Sequence, residues 1–467
     1  MTVGSGGVAA QLLTVITMPV ITRLYAPDAY AGWALLMSVV IIFTSVATLR
    51  YELAIVLPKT HDEAANVLVV CILSTVITSL CTIIILSLWG KWLIGGEFYE
   101  EMRRWIWSVP PLIIFTGVYQ ASIWWCTRTQ EFVWYSISQI TLPSLTIAGQ
   151  IAAALAGWQT ASGLIVGTIV GQAASAAVIF VFVFKKYGPI FHSSITSRKI
   201  VQSAHRYRNY PLYMTPYTLV GTLRDRLVYF LLANYSLKAE LGYYSLSARL
   251  VNLPNSLVSS AVRPVFFQKA ATIDFKSMED AINSALRLLA ISVVPFWILF
   301  LFHSKTLFAL VFGEPWREAG IYASILSFPV IPLLLGNWLD RAFDVLGRQR
   351  LAFTLELVFS LISIVALTVG VVFFNNMLLA VGLQAAVLTF YYSYWLNALF
   401  RAATFNRNKL LKLIGLVLLV GLISILISWL IALILPNILA IVVNGVIIGI
   451  GVSAYLIGQW GYLKSQF

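Results

Sequence analysis

YPLYMTPYTLVGTLRDRLVYFLLANYSLKAELGYYSLSARLVNLPNSLVSSAVRPVFFQK, residues 210–269, is apolar enough for a membrane hairpin yet carries charge in its middle. It reads as one helix ending near Ala233 and a second from about Leu241 to Arg263. Arg224, Asp225, Arg226 and Arg249 lie well away from the ends. A charge at that depth costs several kcal/mol, so such residues face a partner or a water-filled cavity. On the second helix Gly242, Ser245, Arg249, Asn252, Ser256, Ser259 and Arg263 recur at steps of three and four, which puts them on one face. Leu246, Leu250, Leu253 and Leu257 fall outside that stripe. A continuous polar face of this kind lines something wet or polar.

The rest of the chain has the same character. It has 467 residues, 60% hydrophobic and 10% charged, with a mean hydropathy of +0.88. Soluble proteins carry about 25% charged residues. The composition therefore predicts an integral membrane protein, all-α because the apolar runs last about 20 residues instead of alternating as barrel strands do. The start, from Val3 to Tyr25, lacks the basic opening of a cleaved signal and reads as a spanning helix. The net charge of +13 follows from the excess of lysine and arginine on cytoplasmic loops and calls for no nucleic acid. Cys71, Cys81 and Cys126 lie in or at the edge of apolar runs and imply no disulfide framework.

About fourteen runs are long enough to span, from Val3–Thr22 to Ile438–Gly458. With both termini cytoplasmic, about 20 lysines and arginines fall inside and about seven outside. The longest connector, about Lys185 to Asn209, is basic and cytoplasmic. It divides the chain into a six-helix lobe (1–186), a basic linker (187–208), a second six-helix lobe (209–402) and an accessory helix pair (403–467). A weak repeat fits this division. Ala31-Gly32-Trp33 precedes a run closing on Arg50, with Pro58-Lys59 beyond; Leu241-Gly242-Tyr243 precedes a run closing on Arg263-Pro264, with Lys269 beyond. Parallel repeats are a common transporter plan, with the substrate at their interface.

Gly163, Gly167, Gly171 and Ser175 form a small-residue ridge that predicts close helix packing. Ser136, Gln139, Pro143, Thr146 and Gln150 make a polar stripe in the fifth span. Gly7, Gln11, Thr14 and Met18 do so more weakly in the first. Such stripes line a hydrophilic path or hydrogen-bond neighbouring helices. Tyr210, Tyr213, Tyr217, Gly221 and Arg224 share one face, so Arg224 looks along a tyrosine-rich surface, whereas Arg226 is about 200° round the helix. Counted from the inner boundary, Arg249 reaches nearly the depth of Arg224. Guanidinium suits phosphate because it stays charged and donates in pairs. The alternative is that Asp225 neutralises one arginine and the cluster only holds helices together.

Arg50-Tyr51-Glu52 closes the second span as an anchor or an anion contact. Asn337, Asp340, Arg341, Asp344 and Arg348 mark the inner end of the tenth span. Glu356, about one turn inside the next span, binds a coupling cation or pairs with Arg341. His61-Asp62-Glu63 opens a helix, where acidic residues are favoured, and is not read as a metal site. No Walker A sequence, spaced Cys/His set or Gly-x-Ser-x-Gly occurs, so active transport would draw on ion gradients or on the substrate's own gradient.

The runs Ile21-Thr22-Arg23-Leu24-Tyr25-Ala26-Pro27-Asp28 and Arg50-Tyr51-Glu52-Leu53-Ala54-Ile55-Val56-Leu57-Pro58-Lys59 resemble polysaccharide-biosynthesis flippases. These are the Wzx-like transporters of the multidrug/oligosaccharidyl-lipid/polysaccharide exporter (MOP) superfamily. The resemblance returns at Tyr210-Pro211-Leu212-Tyr213, Leu241-Gly242-Tyr243-Tyr244-Ser245-Leu246, Val265-Phe266-Phe267-Gln268-Lys269-Ala270 and Val345-Leu346-Gly347-Arg348-Gln349, and covers the first twelve helices. It implies a MATE-like V of two six-helix lobes around a cationic cavity, here with two extra C-terminal helices. It also implies alternating access and a polyprenyl-diphosphate-linked oligosaccharide moved to the outer leaflet of the bacterial inner membrane. The expected substrate contacts are Arg224, Arg249, Tyr217, Asn252, Arg50 and Gln139, with Asp225 and Glu356 as candidates for a coupling H+ or Na+. No catalytic residue, cofactor or metal is expected; membrane lipids and polysaccharide assembly proteins are the further partners. Two other readings remain. An organic-cation exporter on the same scaffold needs cavity carboxylates, and a polymerase or lipid-linked glycosyltransferase needs a sizeable outer loop or outward-facing acids.

Overall fold

The computed structural model describes residues 3–94, 98–235, 238–259, 275–339, 342–435 and 437–466, and no strand occurs among them. The sixteen principal helices are α1 (Val3–Leu24), α2 (Pro27–Thr44), α3 (His61–Ile94), α4 (Phe98–Met102), α5 (Val109–Arg128), α6 (Phe132–Leu155), α7 (Ala161–Ser194), α8 (Ser197–Arg206), α9 (Thr215–Tyr235), α10 (Lys238–Val251), α11 (Glu279–Phe312), α12 (Ala319–Gly336), α13 (Gln349–Val372), α14 (Met377–Ala402), α15 (Arg407–Ile434) and α16 (Asn437–Gln466). Local chemistry sets several starts. Pro27 opens α2, where a missing N–H costs nothing. Asn376 and Asn406 cap α14 and α15 through their side-chain oxygens.

Among the described residues eleven helices are long and apolar enough to cross a membrane. The three expected spans outside that set are α6, α9 and α10, the ones that carry the polar stripes and central charges. One expectation needs correction. The second helix of the opening stretch is not continuous from Leu241 to Arg263: α10 ends at Val251, a turn falls at Asn252, and helix resumes over 253–259. Pro254 explains this, because it lacks an N–H and its ring crowds the carbonyl four residues back. The basic connector is largely helical, since α7 runs on through Lys185 and Lys186 to Ser194 and α8 follows. Arg263, Lys269, Asp340, Arg341 and the Val265–Ala270 run lie outside the described residues.

The chain divides into two compact units, Met1–Ser245 and Leu246–Phe467. In the first, α6 packs along α7 and α1, α3 along α5, and α9 along α2. The glycine ridge of α7 makes the α6 contact close. A Cβ on Gly167 would lie 2.5 Å from the backbone N of Gln150, and one on Gly171 would lie 2.7 Å from the carbonyl O of Leu142. Gly171→Leu is therefore expected to cost about 3 kcal/mol by overpacking and to lower the melting temperature of the purified protein by several degrees. Gly449→Leu, where an added Cβ meets nothing, should leave it unchanged. Thermal unfolding in detergent measures both.

At the basic-connector end, the 51–55 segment, α3, α5 and α7 enclose Trp125, which stacks edge-on against Tyr187 (5.6 Å) and Phe191 (5.0 Å). Nearby, the hydrogen bond from Lys186 holds the Glu131 carboxyl below the usual carboxylate range. The second unit is centred on α11, α12, α14 and α15 around Trp338, Phe343 and Phe400. The accessory pair packs on α11 and on itself. Lys409 at the start of α15 bonds Glu279 (2.9 Å) and Asp280 (2.7 Å) at the start of α11.

Candidate functional site

Arg224 lies fourteen residues past Tyr210, about 21 Å along the helix. It is 9% exposed, and its Nε donates to Asp225 Oδ1 at 2.9 Å. The Asp225 side chain is 57% exposed, so the pair joins a nearly buried cation to an accessible carboxylate. Arg226 turns elsewhere, as its position round the helix requires. Its guanidinium lies over the Tyr229 ring at 5.5 Å, and its Nε is buried without a hydrogen-bond partner.

Along the stripe that leads to Arg224, exposure falls from 69% at Tyr213 to 47% at Tyr217 and then to the buried arginine. This face of α9 is open near the basic connector and closed at mid-helix. A π-helical turn at Tyr210–Met214 begins it, and that turn packs against the Tyr51–Ala54 turn. Single π turns recur at functional sites.

Past Arg224 the α9–α10 hairpin is tight against its own unit. Tyr229 meets Tyr244 edge-on at 5.4 Å. A Cβ on Gly242 would sit 2.0 Å from the carbonyl O of Pro27. Lys238 pairs with Glu101 at 3.7 Å and lies 5.4 Å from the Phe98 ring centre. The first unit is thus closely packed at the Pro27–Lys238 end.

The other expected site residues are placed as follows. Arg249 and Asn252 are exposed beyond the point where the first unit ends, and the Asn252 amide donates to Ala248 O at 2.9 Å. Both flanks of their stripe are engaged in packing: Gly242 against Pro27, and Asn255 with Ser259 through the Asn337 amide (3.2 and 3.0 Å). Tyr217 is exposed on the open face of α9. Gln139 lies on the α1–α6 seam, where its Oε1 approaches Gly7; that oxygen, Gln11 Oε1 and Ser136 Oγ are buried without partners. Thr146 and Gln150 face the α7 ridge, so this stripe works as interhelical contact. Glu356 accepts from Tyr391 at 2.6 Å and from Ser360 at 3.4 Å. Within the first unit Arg50, Gln139 and Arg224 therefore occupy three separate places.

Arg50 belongs to a knot that the sequence signals only in part. Leu49 and Arg50 are both left-handed (φ 49° and 61°), a conformation that costs about 1–2 kcal/mol for each such residue. The turn returns Glu52 into the protein, where it is 2% exposed. There it accepts from Thr48 and pairs with Arg50 at 3.2 Å. Arg128 closes the same segment through Ile55 O (3.2 Å) and Thr60 O (3.0 Å). Sequence reasoning missed the Gly242–Pro27 approach and the Lys238–Glu101 pair; Pro27 and Gly242 each lay within a run resembling the flippases, and Lys238 and Glu101 gave no signal.

The fold compares closely with membrane transporters. The chain is similar to the lipid II flippase MurJ in an inward closed conformation (TM-score 0.73, 14% identity, 99% of each chain covered). It is also similar to an inward-facing MATE multidrug transporter of the MOP superfamily (TM-score 0.62, 14% identity, 86% of this chain and 96% of that one). A eukaryotic MATE transporter matches at TM-score 0.52, with 13% identity over 88% of this chain and 96% of that one. No curated protein sequence matches the chain. The molecule is therefore a multi-pass helical membrane protein with the fold of these transporters. The profile of the polysaccharide biosynthesis protein family matches residues 20–321, and the chain belongs to that family.

Proposed function

We propose that the chain is a flippase for polyprenyl-diphosphate-linked oligosaccharide, the repeat unit of an O-antigen or exopolysaccharide. It would carry this lipid from the cytoplasmic to the outer leaflet of the bacterial inner membrane by alternating access, with both termini cytoplasmic. In this reading 1–186 and 209–402 are the moving lobes, 187–208 joins them and 403–467 is accessory. The observation that carries the reading is Arg224, a nearly buried cation in the middle of α9 at the closed end of a tyrosine-bearing face. A diphosphate leaving water needs such a group. Arg249 is its expected second ligand, Tyr217 stacks on sugars, and Asn252, Gln139 and Arg50 offer further polar contacts. Asp225, which accepts from Arg224, and Glu356, which accepts from Tyr391, are the candidate carboxylates for a coupling H+ or Na+. Polysaccharide assembly proteins receive the product. Export of organic cations is less well supported, because Arg224, Arg226 and Arg249 outnumber Asp225 among the central charges.

Deleting the gene is expected to leave lipid-linked glycan stranded on the cytoplasmic side, with restoration by the intact chain. Normal outer-leaflet glycan in the deletion strain would rule the reading out.

A further inference from the structure

No aspartate or glutamate occurs between Glu131 and Asp225, whereas Lys185, Lys186, Arg198, Lys199, Arg206 and Arg208 all do. The fold pairs two of these cations with acids, sets Arg208 beside His205 and leaves Lys185, Arg198 and Lys199 exposed. Lys186 bonds Glu131, and Arg206 bonds Glu63 at 2.6 Å. Arg198 and Lys199 are exposed on α8, and no ion pair involves them among the described residues.

The helix bearing them is held firmly in place. Ser194 Oγ donates to Asp62 at 2.6 Å, and the Asn66 amide donates to Ser194 O at 3.1 Å. Tyr51 OH donates to Ala204 O at 3.0 Å, and Tyr207 OH donates to Glu63 at 3.1 Å. These bonds fix Ser203 and Tyr207 inward on α3 and leave Arg198, Lys199 and Val201 outward, the valine 67% exposed. The two acids at the start of α3 are engaged in docking the helix, so neither neutralises the outward face.

From this geometry we infer that α8 is a fixed docking surface for anionic phospholipid headgroups, with Arg198 and Lys199 taking the phosphates and Val201 the adjoining acyl region. Exposed lysines and arginines on a cytoplasmic segment beside a membrane helix attract anionic headgroups, each strengthening attachment about fivefold. The surface is distinct from the proposed substrate site and does not depend on transport. Charge counting alone, as in insertion topology, treats every connector cation alike; docking requires these two.

The test reconstitutes the full-length protein in vesicles of phosphatidylcholine with phosphatidylglycerol and measures association of spin-labelled phosphatidylglycerol against spin-labelled phosphatidylcholine. The wild type is expected to prefer the anionic lipid. Arg198→Gln/Lys199→Gln should lower that preference at least fivefold without changing thermal stability or membrane orientation, and high salt should mimic the change. A wild type with no preference overturns the inference. So does a double variant that keeps its preference, including one in which the lost charges abolish binding to an acidic protein instead.

Discussion

Arg224→Ala is expected to lower outer-leaflet delivery of lipid-linked glycan by about a hundredfold while the protein still inserts and folds. The reasoning weighs two losses. Removing one partner of a fully buried ion pair costs about 3–5 kcal/mol of stability, because the other charge is stranded. Here the partner is Asp225, whose side chain is 57% exposed, so water takes over and stability changes little. For a carried diphosphate, losing a desolvated guanidinium forfeits about 3 kcal/mol of charge-assisted hydrogen bonding, which corresponds to about a hundredfold in binding. Arg224→Lys keeps the charge but not the paired donors and should fall between. Asp225→Asn separates carrier from structural brace. If Arg224 serves an anion, releasing it from Asp225 leaves substrate binding intact or strengthens it, even where loss of Asp225 as a coupling carboxylate slows delivery. If the pair only holds helices, Asp225→Asn is as damaging as Arg224→Ala. Substrate binding by the purified variants, measured beside delivery in complemented cells and protein levels from membrane fractions, decides between them.

Gly242→Val is expected to have the second largest effect. The Cβ it adds lies 2.0 Å from Pro27 O, 2.7 Å from Pro27 C and 3.0 Å from Pro27 Cα. All three are backbone atoms, so no flexible side chain can yield. Relief requires α10 to move off the start of α2, which also pulls Lys238 from Glu101 and Phe98. Overpacking of this kind costs about 3 kcal/mol, enough to reduce the population of the closely packed arrangement about a hundredfold. A carrier that cannot seal one end cannot alternate, so delivery should fall at least tenfold. A cysteine at Lys238 should become reactive to an impermeant maleimide added outside. Wild-type delivery with an unreactive Lys238→Cys would show that the close approach has no role in the cycle.

Much of the fold was legible because lipid imposes simple demands. Apolar runs of about 20 residues become helices whatever their neighbours, and the Gly163–Gly167–Gly171 spacing correctly announced close packing against α6. Pro254 could have been read as the break that ends α10; the stripe through Asn252 drew attention away from it. Other features were beyond local reading. Neither Leu49 nor Arg50 is a residue type that marks a left-handed turn, so the knot around Glu52 left no trace in composition. The docking of α8 joins Ser194, Tyr207 and Arg206 to Asp62 and Glu63, more than 130 residues away in sequence, a pairing that no periodicity encodes. Polar stripes proved ambiguous for a physical reason. Thr146 and Gln150 serve helix contacts, while Tyr213 and Tyr217 stay exposed, and both patterns have the same three-and-four spacing.

The most direct test places the purified protein in vesicles carrying a polyprenyl-diphosphate-linked sugar and follows how much of that sugar becomes accessible to an impermeant enzyme outside. The wild type should expose the inner pool well above the rate in empty vesicles, with Arg224→Ala reduced to the empty-vesicle rate. Equal rates with and without the wild-type protein, or wild-type rates in Arg224→Ala, would contradict the account.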